Sequence, residues 1–479
     1  MSLFGILNTA TAALLNTQTQ IGTVSDNIGN SNSTNYTARQ ATVIESDPAA
    51  GGTDRVVINR TINASLQQEF LSLSTGSANA SVINNIYTQL EQLDGSSTGT
   101  PSLVSAMQQF TAAFQALQAT PESTTAQQGV INAGQGLVQT VQTISTGVEA
   151  IATQTQQQTQ TDVGTLNTTL ASIATLNQQI GQTKGAGVST AALQDTLDAA
   201  LQTVSTLVPV KATFNDNGTV QLATPDGVEL VGATANSFAY NAATNTIFST
   251  NDPNATSLNA SFATGTIGAE ISTLDTSAAG VASQSPAQAP LEKIREQLNS
   301  FVDQFWAPNP PGPMTAFQAA YNNAVPSNAG EQATDFFTIS GFGAAPSTDR
   351  FGFQVNPALL NGTATVKQAA ASPVTQQLLA ATNNFNAGGV SVANQSYTGI
   401  AAALASNQTQ RAQGAQSTQQ STAAALTTTQ TTYKNATGVN VDQELSQLIV
   451  LQNTYGASAK VISVVEQLFS SLQTAVGAA

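Results

Sequence analysis

Residues 3–28 read LFGILNTATAALLNTQTQIGTVSDNI, and their spacing decides what kind of protein this is. Leu7, Leu14, Ile21 and Ile28 recur every seven residues, and Leu3, Ala10, Thr17 and Val24 form a companion row. Two such rows, held for about four heptads, are the seam of a helix made to pack on another helix. Gly29 and the polar loop 30–35 end it. The far end of the chain repeats the design. Val441, Leu448, Tyr455, Ile462, Phe469 and Val476 are spaced by seven, with Leu451, Ser458, Val465 and Leu472 beside them. That run amounts to roughly 54 Å of helix at ~1.5 Å per residue. Periodicity alone therefore nominates Leu3, Leu7, Leu14, Ile21, Val24 and Ile28, with Leu448, Leu451, Tyr455, Ile462, Val465, Phe469 and Leu472, as packing positions between helices and between subunits.

The chain between these ends changes character twice. Short strand patterns at 42–45 and 55–59 flank the turn Gly51-Gly52. From 62 to 208 apolar residues recur at helical spacing, interrupted at 95–101 and at Pro121, and the Gln/Thr-rich piece 153–161 reads as an exposed polar helix. Beyond Pro209 the pattern alternates, at 210–214, 220–223, 228–231, 238–240 and 247–249. Asn217-Gly218 and Asp226-Gly227 separate these runs and mark tight hairpins. Helical spacing returns at 291–306, the proline run 308–313 breaks it, and short strands are expected between 336 and 355. From 390 to 434 the chain is again predicted helical. The expected fold is α+β and mainly α, in four parts. Residues 1–34 and 441–479 form a terminal coiled-coil pair, and 35–205, 268–305 and 357–440 a long helical bundle. A small β domain is inserted at 206–267, with a loop and short-strand insertion at 306–356 that can extend it.

Composition excludes whole classes of chemistry. The chain has no cysteine and no histidine, which removes disulfides, Cys/His zinc sites, thiol nucleophiles and His-dependent triads. Charged residues make up 8% of 479, and the 12 basic ones are scattered, which argues against nucleic acid and anionic membrane partners. No stretch reads as a membrane span, and the first residues lack the basic region of a secretory signal. Aromatic residues are 5%, so close alanine-rich helix packing is expected rather than a large aromatic core. No phosphate-binding loop or EF-hand motif occurs. Two carboxylate pairs, Asp195 with Asp198 and Glu91 with Asp94, share helix faces and read as solvated.

The segment 27–36, Asn-Ile-Gly-Asn-Ser-Asn-Ser-Thr-Asn-Tyr, resembles the N-terminal signature of bacterial flagellar axial proteins. Asn27, Ile28, Asn30, Asn32 and Tyr36 match it, and Thr34-Asn35 stands where the family has Pro-Gly. The C-terminal run with Asn440, Asp442, Gln452, Tyr455, Lys460 and Phe469 is similar to the end of the same proteins. A long helical stretch, a β insertion and a helical return resemble the hook-associated protein 1 family in particular. Residues 36–40, 265–268 with Leu274-Asp275, and 355–359 add to the likeness. The resemblance implies a secreted, extracellular structural subunit at the hook–filament junction, with no cofactor. Its implied partners are copies of itself in a ring or helix, the hook protein, a second junction protein or the filament, and an export chaperone. Hook and distal rod subunits share the terminal motifs and form the second reading. A secreted enzyme such as a glycosidase is the third, and it would need two carboxylates facing across a cleft. On the first reading, both termini are expected to order only on assembly.

Overall fold

The computed structural model describes residues 3–33, 35–44, 55–93, 95, 102–252, 254, 256–274, 289–306, 314–328, 330–331, 335–339 and 352–477. The turn at Gly51-Gly52, most of the 95–101 break, Asp94, Asp275, Thr34 and the proline run 308–313 lie outside them, as do the side chains of Leu3 and Val476. The chain is mainly helical with small antiparallel sheets. Helix α1 (Leu3–Asn30) leads into a ribbon of β1 (Arg39–Ile44) and β2 (Arg55–Arg60). Four helices follow, α2 (Ala64–Leu93), α3 (Leu103–Ala119), α4 (Thr124–Gly185) and α5 (Ala191–Leu207). Ser102 and Ser123 cap α3 and α4, each accepting from the backbone N–H three residues on.

Next comes a β region, with β3 (Lys211–Phe214), β4 (Val220–Ala223) and β5 (Glu229–Val231) in one sheet. β6 (Phe238–Asn241) and β7 (Thr246–Ser249) form another. Gly218 and Gly227 hold φ of 85° and 97°, which is the left-handed backbone their hairpins require. Helices α6 (Gly265–Thr273), α7 (Pro290–Val302) and α8 (Ala316–Asn322) return to the body. They are followed by β8 (Phe337–Ile339), β9 (Phe353–Val355), α9 (Pro357–Leu360) and α10 (Ala371–Leu379). The hairpin β10 (Asn383–Ala387) and β11 (Val390–Gln395) precedes two long helices, α11 (Tyr397–Thr437) and α12 (Val441–Gly477). The sequence reading took residues from 390 onward as helix and so overlooked β10–β11, whose turn glycines Gly388 and Gly389 have φ of 54° and 78°.

Two hydrophobic cores lie along α4, a helix of about 93 Å at 1.5 Å per residue. Its first half, Val130 to Ile151, packs into a core built with α3, α7, α10, α11 and β8–β9. Its second half, Val163 to Ile180, packs with α5, α6 and the β3–β7 region. The short strands at 336–355 therefore belong to the first core. Phe336, Phe337 and Phe353 meet Phe110, Phe114, Phe305 and Phe317 there, in rings mostly tilted or edge-on. A cluster of aromatic rings thus anchors the first core.

Between the cores α4 buries polar side chains, because the two apolar clusters leave one layer unfilled. The 153–161 piece is helical and six of its nine residues are exposed, as expected, but Thr155 and Thr159 are buried. Each satisfies its hydroxyl by donating to the carbonyl four residues back, at 2.8 and 2.9 Å. Asp162 and Glu270 of α6 are also buried there, and one oxygen of each lacks a donor. Burial, then the charge of Asp162, pushes the Glu270 carboxyl up to about 9. A folded-state pKa raised above the unfolded value of 4.5 means the folded chain holds a proton the unfolded chain has released. Stability should fall as pH rises from 4.5 toward 9, and Glu270→Gln should remove most of that slope. Thermal melts across this range should show the variant more stable by about 1–3 kcal/mol at pH 8. An unchanged slope would contradict the assignment.

Candidate assembly site

The terminal helices pack on each other, so each gives the other its partner within one chain. This departs from the expectation that both ends order only on assembly. The most deeply buried row of α1 is Ala10, Thr17 and Val24, while Leu7, Leu14, Ile21 and Ile28 flank it half-buried. On α12 the centre is Leu451 and Val465, with Leu448, Ser458, Ile462 and Phe469 half-buried. Phe4 meets Phe469 edge-on with ring centroids 5.5 Å apart. Small residues at the centre of the seam let the two backbones approach closely. Tyr455 and Leu472, nominated by periodicity, remain exposed in the single chain.

The pair covers only part of the apolar surface of α12. Val450, Val461, Val464, Leu468 and Leu472 are 44–63% exposed. At 100° per residue these five fall on one stripe, to one side of the seam with α1. Val441, Leu445 and Ile449 form a shorter exposed set on the opposite side. By length and composition alone the helical run Tyr397–Thr474 reaches a mean hydropathy of 1.2 over a window of spanning length, only 11% of it buried. This corrects the reading that no stretch approaches a membrane span. Asp442, Glu444, Lys460 and Glu466 nonetheless interrupt α12, and polar Gln and Asn share its surface.

Where the pair joins the body, the signature residues become structural. Asn27 is fully buried and makes four hydrogen bonds. Its Nδ2 donates to the Arg39 carbonyl at 2.8 Å and to Glu444 Oε1 at 2.9 Å. Its Oδ1 accepts from the Tyr36 hydroxyl at 2.8 Å and the Arg39 N–H at 3.0 Å. One amide thus fastens α1, the loop after it, β1 and α12. Burial raises Glu444 despite the bond from Asn27, and pushes the Tyr36 phenol up to about 12. Asn30 donates to the Asp26 carbonyl, and Asn440 accepts from the Gln443 N–H at the start of α12. Asp442 lies in the first turn, where a carboxylate favours the helix dipole. Asn32, Gln452 and Lys460 are exposed.

The arginines of β1 and β2 carry the connection into the body. Arg39 meets Asp195 at 3.0 Å, and Arg60 meets Asp195 at 3.0 Å and also Asp198. These side chains are 7–19% exposed, so the acids read from sequence as solvated are instead held in an ion-pair cluster. Burial raises Asp198 in spite of Arg60. The acid pair that was open to a hydrolytic role is thus committed to two guanidinium groups. Periodicity located both acids on one face but carried no information on what would cover it.

The comparisons with known proteins agree with this architecture. Residues 71–306 match the model of the flagellar hook-associated protein FlgK helical domain. Residues 430–475 match the C-terminal model of flagellar basal body rod FlgEFG proteins. Flagellar hook-associated protein 1 of Escherichia coli K12 is 28% identical over 243 residues, which are 49% of this chain and 44% of the relative. The protein of the same name from Salmonella typhimurium is 27% identical over the same extent. The matched region is therefore less than half the length of these relatives. A solved structure, the flagellar hook junction protein FlgK from Burkholderia pseudomallei, overlaps 57% of this chain and 47% of its own, at 19% identity and a TM-score of 0.46. Read with the terminal helix pair and the Asn27 junction, these matches place the chain in the flagellar hook-associated protein 1 (FlgK) family.

Proposed function

We propose that this chain is a structural subunit of the bacterial flagellum that forms the junction between hook and filament. The observation that carries the proposal is the uncovered apolar stripe of α12, from Val450 to Leu472, on a helix already paired with α1. Five large apolar side chains in one line are costly in water, and each is worth about 1.5–3 kcal/mol when fully buried. Helices of neighbouring copies are the cover that fits a stripe with heptad-like spacing. The charged residues of α12 favour that cover over lipid. The subunit would act as a homo-oligomer in a ring or helix. It would contact the hook protein on one side and a second junction protein or the filament on the other, after export to the cell exterior with the help of a chaperone. No catalytic step is involved.

A hook or distal rod subunit is the second reading, favoured by the rod-protein match over residues 430–475. Deletion of the gene in a flagellated host distinguishes the two. The junction role predicts hooks without filaments, flagellin shed into the medium, and rescue by the full chain. Loss of the hooks themselves would overturn it in favour of the second reading.

A further inference from the structure

We infer that Arg39, Arg60, Asp195 and Asp198 form an electrostatic latch that fixes the direction of the α1–α12 pair relative to the helical body. The inference does not depend on which flagellar position the chain occupies. In a chain with 12 basic residues, two meet at this single point, and both arise from the β1–β2 ribbon. Their acidic partners lie on α5, 156 and 138 residues away for the Arg39–Asp195 and Arg60–Asp198 contacts. Asp195 meets both arginines: its Oδ2 accepts from Arg39, and its Oδ1 lies 3.0 Å from Arg60 Nε as an ion pair, so it ties the two strands to one helix.

The latch is continuous with the bonds on either side of it. Toward the terminal pair, the Arg39 guanidinium lies 4.6 Å from the Tyr36 ring centroid, and the Tyr36 hydroxyl donates to Asn27. Asn27 in turn donates to Glu444 of α12. Toward the body, Gln67 of α2 donates to Asp198 Oδ1 at 2.8 Å, while Arg60 also donates back to Thr37 Oγ1 of the loop after α1 at 2.9 Å. A connected line of polar contacts thus runs from α12 through α1 and the ribbon to α5 and α2. Other bonds cross this neck as well. The Ala38 N–H donates to the Thr437 carbonyl, and the Thr61 N–H donates to the Ala38 carbonyl. Neither bond reaches α5, and among the described residues none of α1 or α12 belongs to either hydrophobic core. The end of α11, which packs on α2, already holds the neck at one point, and a further point on α5 fixes the direction of the ribbon. The ion pairs supply that point, and their partial burial shields them from screening by salt.

The absence of cysteine allows a direct test on the full chain. Spin labels at Asn453→Cys on α12 and Thr168→Cys on α4 occupy exposed positions of the two bodies. Double electron–electron resonance on spin-diluted protein should give one narrow distance distribution. Asp195→Asn should broaden it at least twofold while the helical circular dichroism is unchanged. Asp195→Glu, which keeps the carboxylate facing both arginines, should give a narrower distribution than Asp195→Asn. If Asp195→Asn lost its helical signal, Arg39→Gln, which leaves Arg60 paired with both carboxylates, would be read by the same criterion. A distribution as narrow as the wild type's in folded Asp195→Asn or Arg39→Gln would overturn the latch, as would an Asp195→Glu distribution no narrower than that of Asp195→Asn.

Discussion

Val465→Asp should separate α1 from α12 and stop the chain from entering any assembly, while the body stays folded. Val465 is 3% exposed at the centre of the seam, where a carboxylate would find no cation. An unpaired charge buried there costs roughly 4 kcal/mol or more. The seam rests on few fully buried apolar side chains, chiefly Val24, Leu451 and Val465, each contributing about 1.5–3 kcal/mol. One substitution therefore offsets most of what holds the pair. The two cores of the body share no residue with α12, so their melting should be unaffected. Limited proteolysis should then remove residues 1–30 and 441–479 from the variant and not from the wild type. Ile462→Asp, at a half-buried position, should act in the same direction with a smaller effect on the pair. Normal assembly of the Val465 variant would show that the seam is not the joint described above.

Asn27→Leu should loosen the junction between the terminal pair and the body. The two side chains have similar size, so the change isolates hydrogen bonding from packing. It would leave the Arg39 N–H and carbonyl, the Tyr36 hydroxyl and Glu444 Oε1 without their present partner. Each buried group left so costs about 1–3 kcal/mol, and the losses are not additive because the groups form one network. A total of roughly 4 kcal/mol is expected, seen as loss of amide protection at Arg39 and earlier unfolding of the terminal pair. Unchanged exchange at the Arg39 amide would mean that Asn27 does not organise the junction.

Much of the fold was readable in the chain before its structure, and the exceptions have physical reasons. The heptad rows of α1 and α12, and the Asn-Gly and Asp-Gly hairpins, express local rules that a single sequence states directly. The buried state of Thr155, Thr159 and Asp162 does not, because a polar run looks alike whether water or another polar layer covers it. Glu270 gave no signal for the same reason. Asp195 and Asp198 share a face by spacing, yet their partners come from strands more than a hundred residues earlier, a pairing periodicity cannot reveal. The β10–β11 hairpin adjoins the Gln/Ala/Thr-rich helical run, and its signals were the Gly388-Gly389 turn and the alternating Val390 and Val392. Asn27 was visible as part of a motif, but its four bonds emerge only when α12 returns.

Locating this chain in isolated hook–filament structures tests its position at the junction. Electron microscopy with a label on an exposed residue of the body should show it confined to a thin zone between hook and filament. Label distributed along the hook or within the rod would contradict the account.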